Sequence, residues 1–542
     1  MLSLQRSGLL LLVVCSSLLH VCVVSNAGEV PLVSWRDLWT SAEKSVPSHG
    51  GNEIVPASNL RDLDRRIWII TTASLPWMTG TSINPLLRAA YLAKDRPAGK
   101  VTLMVPYVPM SEQHLTFGVK GLRFPTIDSQ REYIKNWLIE DAKMTNAAEK
   151  LDIVFYSATY HDEYHSIFPM GDITALIPDE EADVCVMEEP EHLNWYRAPF
   201  SEKTWMDKFK HVVGIIHTNY LVYTRGYKGG MYKEPFLKVL NQQMGRAYCH
   251  KIIKLSGALQ EFAPEKEVVA NVHGVRNKYL EIGDSQAARG FTKGAYFVGK
   301  LAWAKGFGEM FSLMRYLEQR TGRCFDIDIY GNGPHENEIK TTAMKQRIRG
   351  TFMGAKDHTL MTEYSTFVNP SVSEVLCTAT VEALAMGKWV VCPKHPSNDF
   401  FEQFPNCLTY RNAEEFAANV YWALSHDPLP LTPSLRHELS WEAATERLMA
   451  SAMVTQEMQE RSRIFYDKFV AWAHEGISRG RHGDLIRSLA GGRSAAGQYE
   501  FAGEFGASAD PQTVINKKQA GQGRKDLSHI GSLEDATAKG EY

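Results

Sequence analysis

Short apolar runs alternate with segments of helical spacing through most of the chain. From Ile67 onward the strand candidates are IWIITT, KVTLMVPYV, LDIVFYSA, ADVCVMEE, HVVGIIHTN, HKIIKLS and VVANVHGV, with helical spacing between several of them, as in SQREYIKNWLIEDAKMT. A second set begins near Lys293 with GAYFVGKL, CFDIDIYGNG, GTFMG, YSTFVNPS, KWVVCP and CLTY, interleaved with FGEMFSLMRYLEQR and TVEALAMG. Strands that are apolar along their whole length, separated by helices, predict parallel sheets covered on both faces. Two such sets in series predict an α/β protein of two doubly wound, Rossmann-like domains, with a cleft at the strand C-termini. The expected divisions are a leader at 1–27, a linker or pre-sequence at 28–60, a first domain at 61–288, a second at 289–435 and closing helices at 436–488. The stretch 489–542 is Gly/Ala/Ser/Gln/Lys-rich and aperiodic, the pattern of a disordered tail.

Length and charge narrow this. A chain of 542 residues is too long for one core. A net charge of −3 carries no nucleic-acid signature. The eight cysteines contain no C-x-x-C pair, so they read as buried thiols rather than a disulfide framework or zinc site. The leader has Arg6, an apolar stretch from Leu9 to Val24, and Ser25 and Ala27 at the spacing of a small-residue cleavage site. It predicts a secretory signal peptide, with an uncleaved signal anchor as the alternative. Apart from the leader, no apolar run approaches spanning length, and the one N-x-S match, at Asn369, has proline in the middle.

Candidate chemistry gathers just after the apolar strands. The turn TGTS, with Thr79, Gly80 and Thr81, joins the first strand to a helical segment. Free N–H groups and the helix dipole make such a turn an anion site, although a plain strand–turn–helix connection has the same sequence. It is neither a P-loop nor the three-glycine dinucleotide fingerprint. His217 follows VVGII, Glu188 and Glu189 end DVCVMEE, Gly331 and Gly333 follow FDIDIY, and Lys300 and Lys305 flank the connection after AYFVG. Glu374 and Glu382 have seven residues between them. A carboxylate accepts from two vicinal sugar hydroxyls. Two of them, with a helix N-terminus and two lysines for a diphosphate, suggest a sugar nucleotide. Taken singly, each residue also fits a solvated charge or a turn.

In order, GKLAWAKGF, DIYGNGP, FMGAKDH and VNPSVSEVLCTATVEALAMGKWVVC resemble the C-terminal half of retaining GT-B glycosyltransferases. Further strings narrow the likeness: TTASLPWMTGTSINPLLRAAYLAKD, IPDEEADVCVMEEPEHLNW, VVGIIHTNYL, AYCHKIIKLS, NVHGV, FTKGAYFVGKLAWAKGF and LSWEAATERL look like the digalactosyldiacylglycerol synthase family of plastid envelopes. The likeness spans about Ile67 to Met449.

It implies a GT-B fold and galactose transfer from UDP-galactose to monogalactosyldiacylglycerol, with retention, releasing UDP. The first domain would hold the acceptor and the second the UDP-sugar. Gly80, with Thr79 and Thr81, matches the glycine loop at the donor diphosphate. Lys300 and Lys305 match the Arg/Lys pair on that diphosphate; Lys300 stands where arginine is usual and loses the bidentate fork. Glu374 matches the glutamate on the donor sugar, Glu382 the one on the ribose, His217 the cleft histidine near the transferred sugar, and Gly354 the loop around uracil. His217, Lys305 and Glu374 are thus the expected catalytic residues. No cofactor is implied beyond the substrate. No Asp-x-Asp metal motif is read, and the reaction is expected to be metal-independent.

The implied acceptor is a membrane lipid, so peripheral association is expected. NYLVYTRGYKGGMYKEPFLKVL mixes tyrosines with Arg225, Lys228 and Lys233, which suits a headgroup surface as well as an ordinary loop and core-facing helix. Glu188 and Glu189 complete the expected acceptor or membrane group. The expected location is the plastid envelope, reached through the ER in a complex plastid if the leader is secretory. Two further readings stay open: another UDP-sugar-dependent lipid glycosyltransferase, and a catalytically silent nucleotide-sugar-binding envelope protein.

Overall fold

The computed structural model describes residues 57–117, 121–161, 166–195, 203–225, 230–462 and 465–478. The chain divides into two compact units, 1–52 and 53–542, and every described residue lies in the second. The expected leader, most of the expected linker and the expected tail lie outside the described residues.

The strands β1 (Ile67–Ile70), β2 (Val101–Tyr107), β3 (Asp152–His161), β4 (Ser166–Pro169), β5 (Val184–Glu188), β6 (His211–Ile216), β7 (Lys251–Lys254) and β8 (Glu267–Val269) form one sheet. Its order is β4-β3-β2-β1-β5-β6-β7-β8. Every residue of β1 and β5 is buried, as expected of a central strand covered on both faces. Parallel pairing sets Ile67 beside both Val101 and Val184. The strand β4 departs from the expected all-parallel pattern: it pairs antiparallel with β3. Its four residues, SIFP, are too few to show a period.

The strands β9 (Lys293–Val298), β10 (Ile327–Tyr330), β11 (Gly350–Gly354), β12 (Tyr364–Val368), β13 (Trp389–Pro393) and β14 (Cys407–Tyr410) form the second sheet, in the order β11-β10-β9-β12-β13-β14. All its pairings are parallel. The fold is therefore α/β with two doubly wound sheets in series. One apolar core runs from the first sheet onto a face of the second, through Tyr296, Tyr364 and Phe367. Phe307, Phe311, Leu317, Ile327 and Phe416 form a separate core on the other face. Gly257, beyond β7, and Pro396, beyond β13, nearly touch, since a Cβ on Gly257 would lie 3.5 Å from the Pro396 Cβ. C-terminal ends of the two sheets thus approach each other.

After β14 the chain returns to the first sheet. Helix Trp441–Ser451 packs on helix Gly80–Ala93, and helix Phe465–Ser478 on helix Gly230–Tyr248. Ion pairs from Asp467 to Arg246 (3.0 Å) and Lys266 (2.7 Å) hold the last helix in place. Ser58 donates its N–H to Val454 O at 3.1 Å, and Leu60 is fully buried. Residues 57–60, expected to end a linker, therefore belong to the folded body. Among the described residues no helix is long and apolar enough to cross a membrane.

Lys388 lies fully buried at the start of β13, donating to Met361 O (2.8 Å) and Tyr364 O (2.5 Å). Burial lowers its ammonium to about 7. A lysine depressed in the folded state binds its proton better when unfolded, so it costs stability at neutral pH, and that cost disappears as pH rises toward 10.5. Wild-type protein should gain about 2–3 kcal/mol relative to Lys388→Met between pH 7 and 9.5. Parallel stability curves from chemical denaturation of the two proteins would refute this.

Candidate active site

A doubly wound sheet binds ligands where its strand order reverses, beyond the strand C-termini. In the first sheet that point lies between β1 and β5, and in the second between β9 and β12. The chemistry expected from sequence collects beyond these four strands and at β6, the neighbour of β5.

Beyond β1, Thr79 caps helix Gly80–Ala93 in extended conformation, and its side chain makes no capping bond. Ser82 and Ile83 donate to Thr79 O, which leaves the Gly80 and Thr81 N–H groups without a partner among the described residues. Pro85 has no N–H for the Thr81 carbonyl one turn back, and the Thr71 hydroxyl takes that carbonyl instead, at 2.6 Å. This ties the turn to the end of β1. A Cβ at Gly80 would meet only Asn84, at an ordinary 3.5 Å. The fold alone does not demand glycine there, which agrees with a ligand approaching the backbone.

Beyond β5 lie two buried carboxylates. Glu188 accepts from Arg88 Nε at 2.6 Å and from His217 Nε2, which follows β6. Burial pushes the Glu188 carboxyl up, but Arg88 and His217 outweigh it and hold it below the ordinary range. Glu189 adopts a left-handed backbone, φ 59°. Its carboxylate takes hydroxyls from Thr72, at 2.8 Å, and from Thr218. These side chains, the expected acceptor or membrane group, are 0% and 2% exposed and already engaged, so neither carboxylate is open at a surface. A lipid surface cannot reach a carboxylate that the fold has already desolvated and paired. Glu191 is buried nearby; burial, with Glu189 beside it, raises its carboxyl well above the ordinary range.

In the second sheet Lys305 bridges the loop beyond β9 to Glu374 in the loop beyond β12, so one ion pair spans the switch point. Both side chains are about one-fifth exposed. Gly306, at φ 84°, lets the chain turn here, because a Cβ would collide with the Pro370 carbonyl. Lys300 is exposed, and among the described residues its side chain makes no ion pair or hydrogen bond; its carbonyl accepts from Ala302 N at 2.9 Å. Backbone bonds stitch the neighbouring loops together: Leu301 N to Asn332 O at 2.8 Å, and Gly331 N to Gly354 O at 3.0 Å. Gly331, at φ 143°, packs against the Gly299 carbonyl with no room for a Cβ. Gly354 is exposed at the rim, φ 73°.

Helix Thr378–Ala385 begins two residues before TVEALAMG, and Glu382 stands on its second turn. One carboxylate oxygen accepts from His358 Nδ1 at 2.7 Å, and Tyr296 OH bonds the other ring nitrogen at 2.7 Å. Glu374 and Glu382 therefore sit in separate hydrogen-bonded groups.

The structure thus joins Lys305 with Glu374 and Glu188 with His217. Thr79, Gly80 and Thr81 form the turn that follows β1. The side chains of Arg225 and Lys233, and all of Lys228, lie outside the described residues. Sequence reading missed Arg88, Thr72, Asn84, His273 and His358. Arg88 had a signal: one charge inside the apolar run PLLRAAYLA needs a buried partner.

Residues 284–439 match the family described as Glycosyl transferases group 1. The chain is 42% identical over 427 residues to digalactosyldiacylglycerol synthase 2, chloroplastic, of Arabidopsis thaliana, covering 77% of this chain and 88% of that protein. This chain belongs to the digalactosyldiacylglycerol synthase family. It is 47% identical over 397 residues to digalactosyldiacylglycerol synthase 1, chloroplastic, of Glycine max, covering 72% of this chain and 49% of the relative. The chain thus spans about half the length of that member of the digalactosyldiacylglycerol synthase family. Among solved structures, a sucrose-phosphate synthase from Thermosynechococcus elongatus is 13% identical, covers 75% of this chain and 100% of its own, and superposes with a TM-score of 0.41.

Proposed function

We propose that this protein transfers galactose from UDP-galactose to monogalactosyldiacylglycerol, releasing UDP and forming digalactosyldiacylglycerol with retention. The observation that carries this reading is the Lys305–Glu374 pair at the switch point of the second sheet, within a member of the digalactosyldiacylglycerol synthase family. In this reading Lys305 and Lys300 meet the diphosphate, with the Gly80 and Thr81 N–H groups on its other side. These donors stabilise the charge that grows on the leaving UDP. Glu374 holds the galactose, Glu382 the ribose, and His217 a hydroxyl of the transferred sugar. The Gly354 loop receives the uracil. The leaving diphosphate guides the acceptor hydroxyl onto the same face, and no resident metal takes part.

The acceptor stays in a bilayer, so the protein works at a membrane surface as a peripheral protein, with Arg225, Lys228 and Lys233 as basic contacts. The relatives above are named chloroplastic, which supports a plastid address; the envelope and an ER route are part of the same proposal.

The test is purified protein with monogalactosyldiacylglycerol vesicles and labelled UDP-galactose or UDP-glucose, followed by lipid product analysis. The expected product is a digalactosyl lipid with an α-linked outer sugar, formed from UDP-galactose and insensitive to EDTA. Preference for UDP-glucose would favour another lipid glycosyltransferase. UDP binding without transfer would favour a silent binding protein. Loss with EDTA and rescue by manganese would overturn the metal-free account.

Glu382→Gln should weaken UDP binding by about 10-fold or more, the loss of a charge-assisted hydrogen bond of roughly 1.5–3 kcal/mol. Calorimetric titration of UDP reads this directly, and unchanged affinity would remove Glu382 from the ribose site.

A further inference from the structure

We propose that Arg88 and Glu188 are positioning residues that decide which ring nitrogen of His217 faces the bound sugar. The inference rests on the donor-site reading of His217 given above. Glu188 is fully buried at the end of β5, held by Arg88 Nε at 2.6 Å on one oxygen and by His217 Nε2 on the other. Arg88 is itself 1% exposed and anchored by a second bond, from Nη1 to Val272 O at 2.8 Å.

The chemistry follows from protonation. An ionised carboxylate only accepts hydrogen bonds, whereas a protonated one also donates. Without Arg88, a carboxyl this deeply buried would take up a proton, because desolvation favours the neutral form. Arg88 keeps Glu188 ionised, and an ionised Glu188 requires hydrogen on His217 Nε2. In the neutral ring Nδ1 is then the acceptor, left for a ligand hydroxyl. Its ring makes no other hydrogen bond among the described residues. Guanidinium and carboxylate cancel, so the pair orients the imidazole without adding net charge.

His273 supports this site from the side. Its ring centre is 4.9 Å from that of His217, and Asn84, one turn along from Gly80, contacts its Nδ1 at 3.3 Å. Its Nε2 is buried without a partner. Burial, with His217 and Arg88 close by, keeps this imidazole neutral. Trp441, whose ring centre is 6.2 Å away, backs it.

The decisive measurement is the tautomer of His217, read by long-range ¹H–¹⁵N spectra of protein carrying ¹⁵N-histidine, with His217→Gln for assignment. Wild type should carry its hydrogen on Nε2, and Arg88→Met should shift the population toward Nδ1. Hydrogen on Nδ1 in the wild type overturns the proposal, and this readout does not depend on any transfer activity. The kinetic arm compares Glu188→Gln with the apolar pair Arg88→Met/Glu188→Leu, which keeps volume without leaving a lone buried charge. Both should lose about 10–100-fold in kcat, as supporting partners of a functional histidine do. UDP affinity should stay within about two-fold of wild type. Near-wild-type turnover in the apolar pair would show that the ion pair serves folding only. Loss of UDP affinity in step with turnover would overturn the positioning role.

Discussion

Lys305→Ala should lower kcat by about 10²–10³-fold, the scale seen when one preorganised donor at a developing charge is removed. The side chain reaches from the loop beyond β9 to Glu374 beyond β12, with about one-fifth of its surface open to solvent. It is thus fixed in place before substrate arrives and needs little reorganisation. A cation there gains strength as the leaving diphosphate gains charge, so the loss should fall on kcat more than on UDP binding. Lys305→Arg keeps the charge but changes its shape. It should recover part of the activity, while Lys305→Met should not. The measurement is steady-state galactose transfer with UDP affinity determined separately. Turnover within about three-fold of wild type in Lys305→Ala would remove this lysine from the reaction.

Trp441→Ala should destabilise the protein by about 3–5 kcal/mol, the range for deleting a buried aromatic side chain. Trp441 is 1% exposed, stacks on Tyr91 with ring centres 6.0 Å apart, and presses its backbone where a Cβ on Gly274 would sit. Helix Trp441–Ser451 covers the helix whose N-terminus carries Thr79 and Gly80. A cavity here loosens His273 and the glycine turn together, so turnover should fall even in the folded fraction. Urea denaturation followed by far-ultraviolet circular dichroism, with transfer assays below the transition, measures both effects. An unchanged midpoint would mean that the returning helix contributes little to the first sheet.

Much of this protein is legible in its sequence because strands buried on both faces have to be apolar throughout. IWII, VCVME and HVVGII announce themselves for that reason, and helical spacing between them imposes parallel sheets and their doubly wound connections. The positions of His217, Glu188, Lys305 and Glu374 just past such strands were legible too, since a doubly wound sheet leaves its strand C-termini open. Pairing is another matter. That Glu188 is closed off by an arginine 100 residues earlier depends on helix Gly80–Ala93, packed on β1 and β2, carrying Arg88 to the end of β5. Nothing in the spacing of Glu374 and Glu382 shows that His358, brought in from a different loop, takes one of the Glu382 oxygens. The return of residues 441–478 to the first sheet was hidden for the same reason: an amphipathic helix advertises an apolar face but not the surface that will cover it. Local periodicity comes from contacts between near neighbours and is written in order along the chain. Partners of buried charges and of helix faces are chosen by distant segments, and only tertiary packing brings those within hydrogen-bonding reach.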